Sequence, residues 1–281
     1  MEHKLLHPSH IFALFKYAVY LALVWNAWLF FQEDWQAAVF RLDELSGWQR
    51  IVEVYAQTID TGAWVCLLLL FELETSYLPD SSLRRPGVKW SLHGLRALFG
   101  LVIVDTFIGY TGKFISYLEV QRIAADACTL ADSGWSLLTN FDEFVALGTE
   151  NCSALAGETL FRLDNSQILT TYTTLNDAQQ MALVDVVNAG AWIMVIVLLE
   201  ADVRLQLRGA LTGMLLRLSS VLKFITYAVL LGAAVYWGFA GNFIDFWDAF
   251  LWLVAFVFIE LNVFQWHEES DRLAAEPVRT F

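Results

Sequence analysis

Six stretches of the chain, 11–31, 51–77, 95–117, 181–203, 215–239 and 243–266, each approach the roughly 20 apolar residues that a helix needs to cross a bilayer. Backbone in hydrocarbon must satisfy its own hydrogen bonds, so runs of this length are read as helices. Composition agrees. The 281 residues are 57% hydrophobic and 17% charged, with a mean hydropathy of +0.51, which leaves too little polar surface for a soluble domain. The first run is too long for a signal-peptide core and no small-residue cleavage site follows it, so it is expected to stay as a helix. The chain therefore reads as an all-α integral membrane protein with six transmembrane helices.

Charge sets the expected orientation. Arg84, Arg85, Lys89 and Arg96 lie between the second and third runs or at their edge, and Arg204, Arg208 and Arg217 lie around the fourth connection. Residues 119–180 carry nine acids against Arg122 and Arg162. Basic connections face the cytoplasm, which puts both termini inside, as in a bacterial inner membrane, and the acidic segment outside. The resulting divisions are 1–118 (the first hairpin plus the third helix), an extracytoplasmic cap at 119–180, helices four to six at 181–266, and a cytoplasmic tail at 267–281. The cap lacks proline and mixes Phe141, Phe144, Leu160 and Phe161 with polar residues, and it is expected to be ordered, with one or two short helices. Cys128 and Cys152 both fall in it, where an oxidising compartment favours a disulfide. The net charge of −13 lies largely outside the spans and gives no reason to expect nucleic acid.

A pattern repeats in the even-numbered runs. "DTGAWVCLLLLFELE" at 60–74, "NAGAWIMVIVLLEAD" at 188–202 and "DAFLWLVAFVFIELN" at 248–262 share the form Asp/Asn-x3-Trp-x7-Glu-x-Glu/Asp/Asn. Its members are Asp60, Trp64 and Glu72; Asn188, Trp192 and Glu200; Asp248, Trp252 and Glu260. Lys16, Arg96 and Lys223 stand near the starts of the odd-numbered runs. We read three tandem helix hairpins as direct repeats, which favours a pseudo-threefold arrangement. Trp64, Trp192 and Trp252 are expected to pack the hairpins together.

Helical rise fixes the depth of the acids. Twelve residues separate Asp60 from Glu72, about 18 Å, against a hydrocarbon core of about 30 Å. At least one polar group per repeat is therefore buried at hydrocarbon depth and must face protein or water. For the inner acids an ion pair is the simpler reading: Lys16 with Glu72, Arg96 with Glu200, and Lys223 with Glu260. Asp60, Asn188 and Asp248 have no repeated basic partner, and Asp105 in the third run has none close in sequence.

Two readings follow. In one, Asp60, Asp105, Asn188 and Asp248, with Glu72, Glu200 and Glu260, line the path of a cation or proton in a channel or transporter. In the other, the protein is a non-catalytic structural or accessory subunit whose acids are locked in salt bridges. Either form sits in the lipid bilayer, as a homo-oligomer or within a larger membrane complex. The sequence shows no nucleophile motif, metal-ligand spacing or phosphate-binding glycine loop, so no catalytic residue, metal or cofactor is expected, although lone carboxylates leave room for a lipid-modifying enzyme.

Overall fold

The computed structural model describes residues 8–42, 46–83, 85–163, 166–207 and 213–256. Its helices are α1 (Pro8–Arg41), α2 (Trp48–Val54), α3 (Ala56–Glu72), α4 (Asp80–Leu83), α5 (Pro86–Leu118), α6 (Tyr172–Leu207), α7 (Gly213–Ala240) and α8 (residues 243–256). Five described helices are long and apolar enough to cross a membrane: Ala13–Arg41, Ala56–Thr75, Pro86–Leu118, Tyr172–Asp202 and Gly213–Ala240. Their outward faces are apolar, as lipid requires, with Leu21, Val39, Leu101, Ile108, Val197, Phe224 and Phe239 all exposed. The sixth expected run begins as α8, and its remainder to 266 lies outside the described residues.

The second expected run is broken. Tyr55 leaves the helical region (φ −100°, ψ 22°) and separates α2 from α3. Asp34 of α1 accepts from the Thr58 amide and hydroxyl, at 3.0 and 2.6 Å, and so satisfies a donor that the first turn of α3 leaves without a helical partner. Helix α2 lies against α5 at Gly109, where a Cβ would stand 3.0 Å from both Val52 Cγ1 and the Val52 carbonyl oxygen. Pro86 opens α5, following Arg85 in the extended conformation that a residue before proline prefers. At its other end α3 continues into a π-helical turn, Leu73–Tyr77.

The outer segment corrects the all-α expectation. Beside two short 3₁₀ helices it forms a five-stranded sheet, β1 (Val120–Ile123), β2 (Ser136–Leu138), β3 (Phe144–Ala146), β4 (Leu160–Leu163) and β5 (Ile168–Thr171), in the order β1-β4-β5-β2-β3. All pairings are antiparallel except β2 with β5. Strands of three or four residues are too short to show an alternating pattern, which is why composition alone did not reveal them. Cys128 and Cys152 are disulfide-bonded, and both belong to 3₁₀ turns beside the sheet core of Leu137, Leu147, Leu155, Leu160 and Leu169. Helix α6 follows β5 directly, so it starts nine residues before the expected boundary at 181.

The cap is seated on the helices. Tyr117, 1% exposed, donates to the Phe141 carbonyl at 2.6 Å and accepts from Gln179 through its own carbonyl at 2.8 Å. Its ring shares an apolar core with Leu138, Leu163, Ile168, Met181 and Trp237. Alanines at 178, 182, 233, 234 and 249 let α6, α7 and α8 come close at this end. Farther in, Leu23, Val195, Leu230 and Ala255 fill the bundle centre.

Candidate functional site

Between that central core and the cap the helices enclose a polar cavity of about 50 Å³. Three helices contribute to it in the same way. From α3 come Gln57, Asp60 and Trp64; from α6, Asp185, Asn188 and Trp192; from α8, Asp245, Asp248 and Trp252. Each set is spaced i, i+3, i+7, which aligns the three side chains along one helix face. The cavity therefore has three tiers. Gln57, Asp185 and Asp245 are nearest the cap, Asp60, Asn188 and Asp248 follow, and the tryptophans form the floor. Trp64 lies 5.8 Å from Trp192 and 6.1 Å from Trp252 between ring centroids, and Phe256 packs on Trp192 at 4.6 Å. Phe30, Tyr110 and Trp237 complete the aromatic part of the wall.

Neutral side chains hold most of the carboxylates. Thr106 donates to Asp60 at 3.1 Å, Asn26 to Asp248 at 2.9 Å, and Gln57 to Asp245 at 2.8 Å; Asn242 also donates to Asp245. No lysine or arginine lines the cavity among the described residues. Lys113, 3% exposed, reaches out to Asp142 of the cap at 2.6 Å and lies over the Phe141 ring, while still close enough to act on Asp185 and Asp245 through space. Two acceptors and one donor are left over. Asp185 Oδ2, Asn188 Oδ1 and Trp237 Nε1 are buried without a hydrogen bond, although the Trp237 indole lies beside Asp185. Buried polar atoms without partners are uncommon and costly, which marks this wall as built to meet something polar. The residues flanking it on the outer surface, Leu183 and Val187 on α6 and Ile108 on α5, are exposed and apolar, so the cavity lies at the level of the lipid-facing belt.

The other expected site residues lie elsewhere. Asp105 does not line the cavity; it accepts from the Trp48 indole at 3.1 Å on the outer face of α5. Glu72, 3% exposed, accepts from Lys16 at 2.6 Å and from the Tyr17 and Tyr20 hydroxyls at 3.2 and 3.3 Å. Arg96 pairs with Glu74, not with Glu200, which instead makes an exposed i,i+4 pair with Arg204. Lys223 bonds Asp202 at 2.7 Å. Its expected partner Glu260 lies outside the described residues. The Arg96 and Lys223 pairs thus use the second acid of the motif and join one even-numbered span to the next odd-numbered one.

The sequence pattern did not single out Asp245, Gln57, Asn26 or Asp185 as site residues. A signal was available: a Gln or Asp stands three residues before the first member of all three motifs. No protein family, curated protein or solved structure gives a match to this chain, so the site is read from its own geometry.

Proposed function

We propose that the protein is a multi-pass membrane channel or transporter for a cation or proton, and that the tiered cavity is its binding station. The observation that carries this reading is the meeting of Asp60, Asp185, Asp245 and Asp248, from three helices, around a cavity with no basic side chain in its lining among the described residues. Carboxylates at hydrocarbon depth are costly, and they are the means by which membrane proteins attract cations and relay protons. A cavity of about 50 Å³ has room for several waters, enough to solvate an ion or carry a proton between tiers.

The equivalence of the three i, i+3, i+7 sets supports three direct hairpin repeats around a pseudo-threefold axis, with α8 as the described part of the sixth span. The inner ion pairs take the structural role and leave the outer tiers to the ion. That division also defines the rival reading, an accessory subunit held together by its salt bridges. The disulfide fits a cap outside the cytoplasm, with both termini inside and a bacterial inner membrane as the location. Liposome flux decides between the readings. Purified protein should release an imposed proton or monovalent-cation gradient faster than empty vesicles, and no release across a range of cations and pH would favour the accessory subunit.

A further inference from the structure

The chemistry of the cavity wall narrows the cation. We infer that the site takes a small ammonium-type cation, ammonium itself or a methylamine in its protonated form. This rests on the cation reading above and names the class of ion.

Three observations carry it. First, the unsatisfied acceptors are oxygens matched to N–H donors. Asp185 is 4% exposed, and its Oδ2 and the Oδ1 of Asn188, one turn along the same face of α6, are buried without a hydrogen bond and belong to the same cavity wall. An ammonium group donates to both and adds a positive charge inside the lining, where Lys113 acts on Asp185 only from outside it.

Second, much of the rest of the wall is aromatic. Trp64, Trp192, Trp237 and Trp252, with Tyr110 and Phe30, surround the acids. Aromatic rings attract weakly hydrated organic cations, and aromatic cages are a means by which proteins hold ammonium groups. A bare metal ion asks for something else. Hard cations take about six oxygens at short range. Here Asp60, Asp245 and Asp248 already accept from Thr106, Gln57 and Asn26, which leaves them to supply charge and single contacts and not a full oxygen shell, and no group of three or more His, Cys, Asp or Glu side chains is placed to hold a metal ion among the described residues.

Third, size sets an upper limit. Each water needs about 10–15 Å³ of such space, so the cavity holds a few water-sized groups. Ammonium and methylammonium fit within about 50 Å³, and tetraethylammonium does not.

The test is equilibrium binding to the purified full-length protein in nanodiscs, read by tryptophan fluorescence because four indoles line the site. Methylammonium, sodium and tetraethylammonium chlorides are titrated at constant ionic strength. We expect a saturable change with methylammonium alone. Asp185→Asn should weaken half-saturation about tenfold or more, the loss expected for a charge-assisted hydrogen bond. Asn188→Ala should weaken it less, and provides the readout if Asp185→Asn does not fold. A flat methylammonium titration, or one with the same midpoint in wild type and variants, overturns the inference. Saturation by sodium in place of methylammonium overturns the ammonium class and leaves the cation reading standing. No response to any of these salts, together with no liposome flux, removes both.

Discussion

Asn26 in α1 donates to Asp248 in α8 at 2.9 Å, across 222 positions of the chain. The bond joins the first spanning helix to the last described one and closes the helix ring around the cavity. Asn26 is 1% exposed, so nothing else can replace it cheaply. Asn26→Leu should destabilise the protein by about 1.5–3 kcal/mol, the range for a buried hydrogen bond to a charged group. Thermal melting in detergent measures this. Asn26→Leu combined with Asp248→Leu should recover part of the loss, because both partners are then apolar.

Lys16 and Glu72 form a buried pair that we assign to structure, not to the ion path. Removing one partner of such a pair costs about 3–5 kcal/mol, whereas apolar replacement of both is often near neutral. Glu72→Met should therefore melt well below Lys16→Met/Glu72→Met. The double variant should remain somewhat below wild type, since the Tyr17 and Tyr20 hydroxyls also lose their acceptor. Equal melting temperatures for the single and double variants would show that the pair is not coupled.

Gly109 is where α2 packs tightly on α5. A Cβ there meets both a side-chain carbon and the carbonyl of Val52 at 3.0 Å. Gly109→Ala should cost about 1–3 kcal/mol by overpacking. Adding Val52→Ala removes the side-chain clash but not the carbonyl contact, so the recovery in melting temperature should be partial.

The cap depends on its disulfide. Cys128 and Cys152 are 24 residues apart, and a loop of that size gives about 3–4 kcal/mol in the chain-entropy account. Reduction, or Cys152→Ser, should expose the 119–171 segment to limited proteolysis while the long helices persist. Thiol labelling of a cysteine placed at Ser133 in the cap, against one at Ser82, reports the orientation. The first should react from outside and the second only after permeabilisation.

How much of this was legible in the sequence follows from length scales. Trp64, Trp192 and Trp252 could be aligned because each sits in a long helix with a fixed period, and the Asp/Asn-x3-Trp spacing keeps both groups on one face. Lys16 with Glu72 was legible for the same reason, since depth along two antiparallel helices can be counted in residues. Asp105 could not be separated from Asp60 in this way. Both are acids in apolar helices, and only the rotation of α5, which turns Thr106 toward Asp60 and Asp105 toward Trp48, tells them apart. Glu200 fails similarly: it matches Glu72 in spacing but faces outward and meets Arg204. The sheet was hidden because each strand has at most four residues, and because two of its pairings, β1 with β4 and β2 with β5, join strands far apart in the chain.

The central claim is that Asp60, Asp185 and Asp248 bind the transported cation. The most direct measurement is flux through liposomes carrying Asp60→Asn, Asp185→Asn, Asp248→Asn or Asp105→Asn, each checked for folding by its melting temperature. The account predicts about a tenfold or greater loss of flux in the three cavity variants, the cost of one charge-assisted contact, and near wild-type flux for Asp105→Asn, which lies outside the cavity. Undiminished flux in all three cavity variants, or a loss confined to Asp105→Asn, would contradict it.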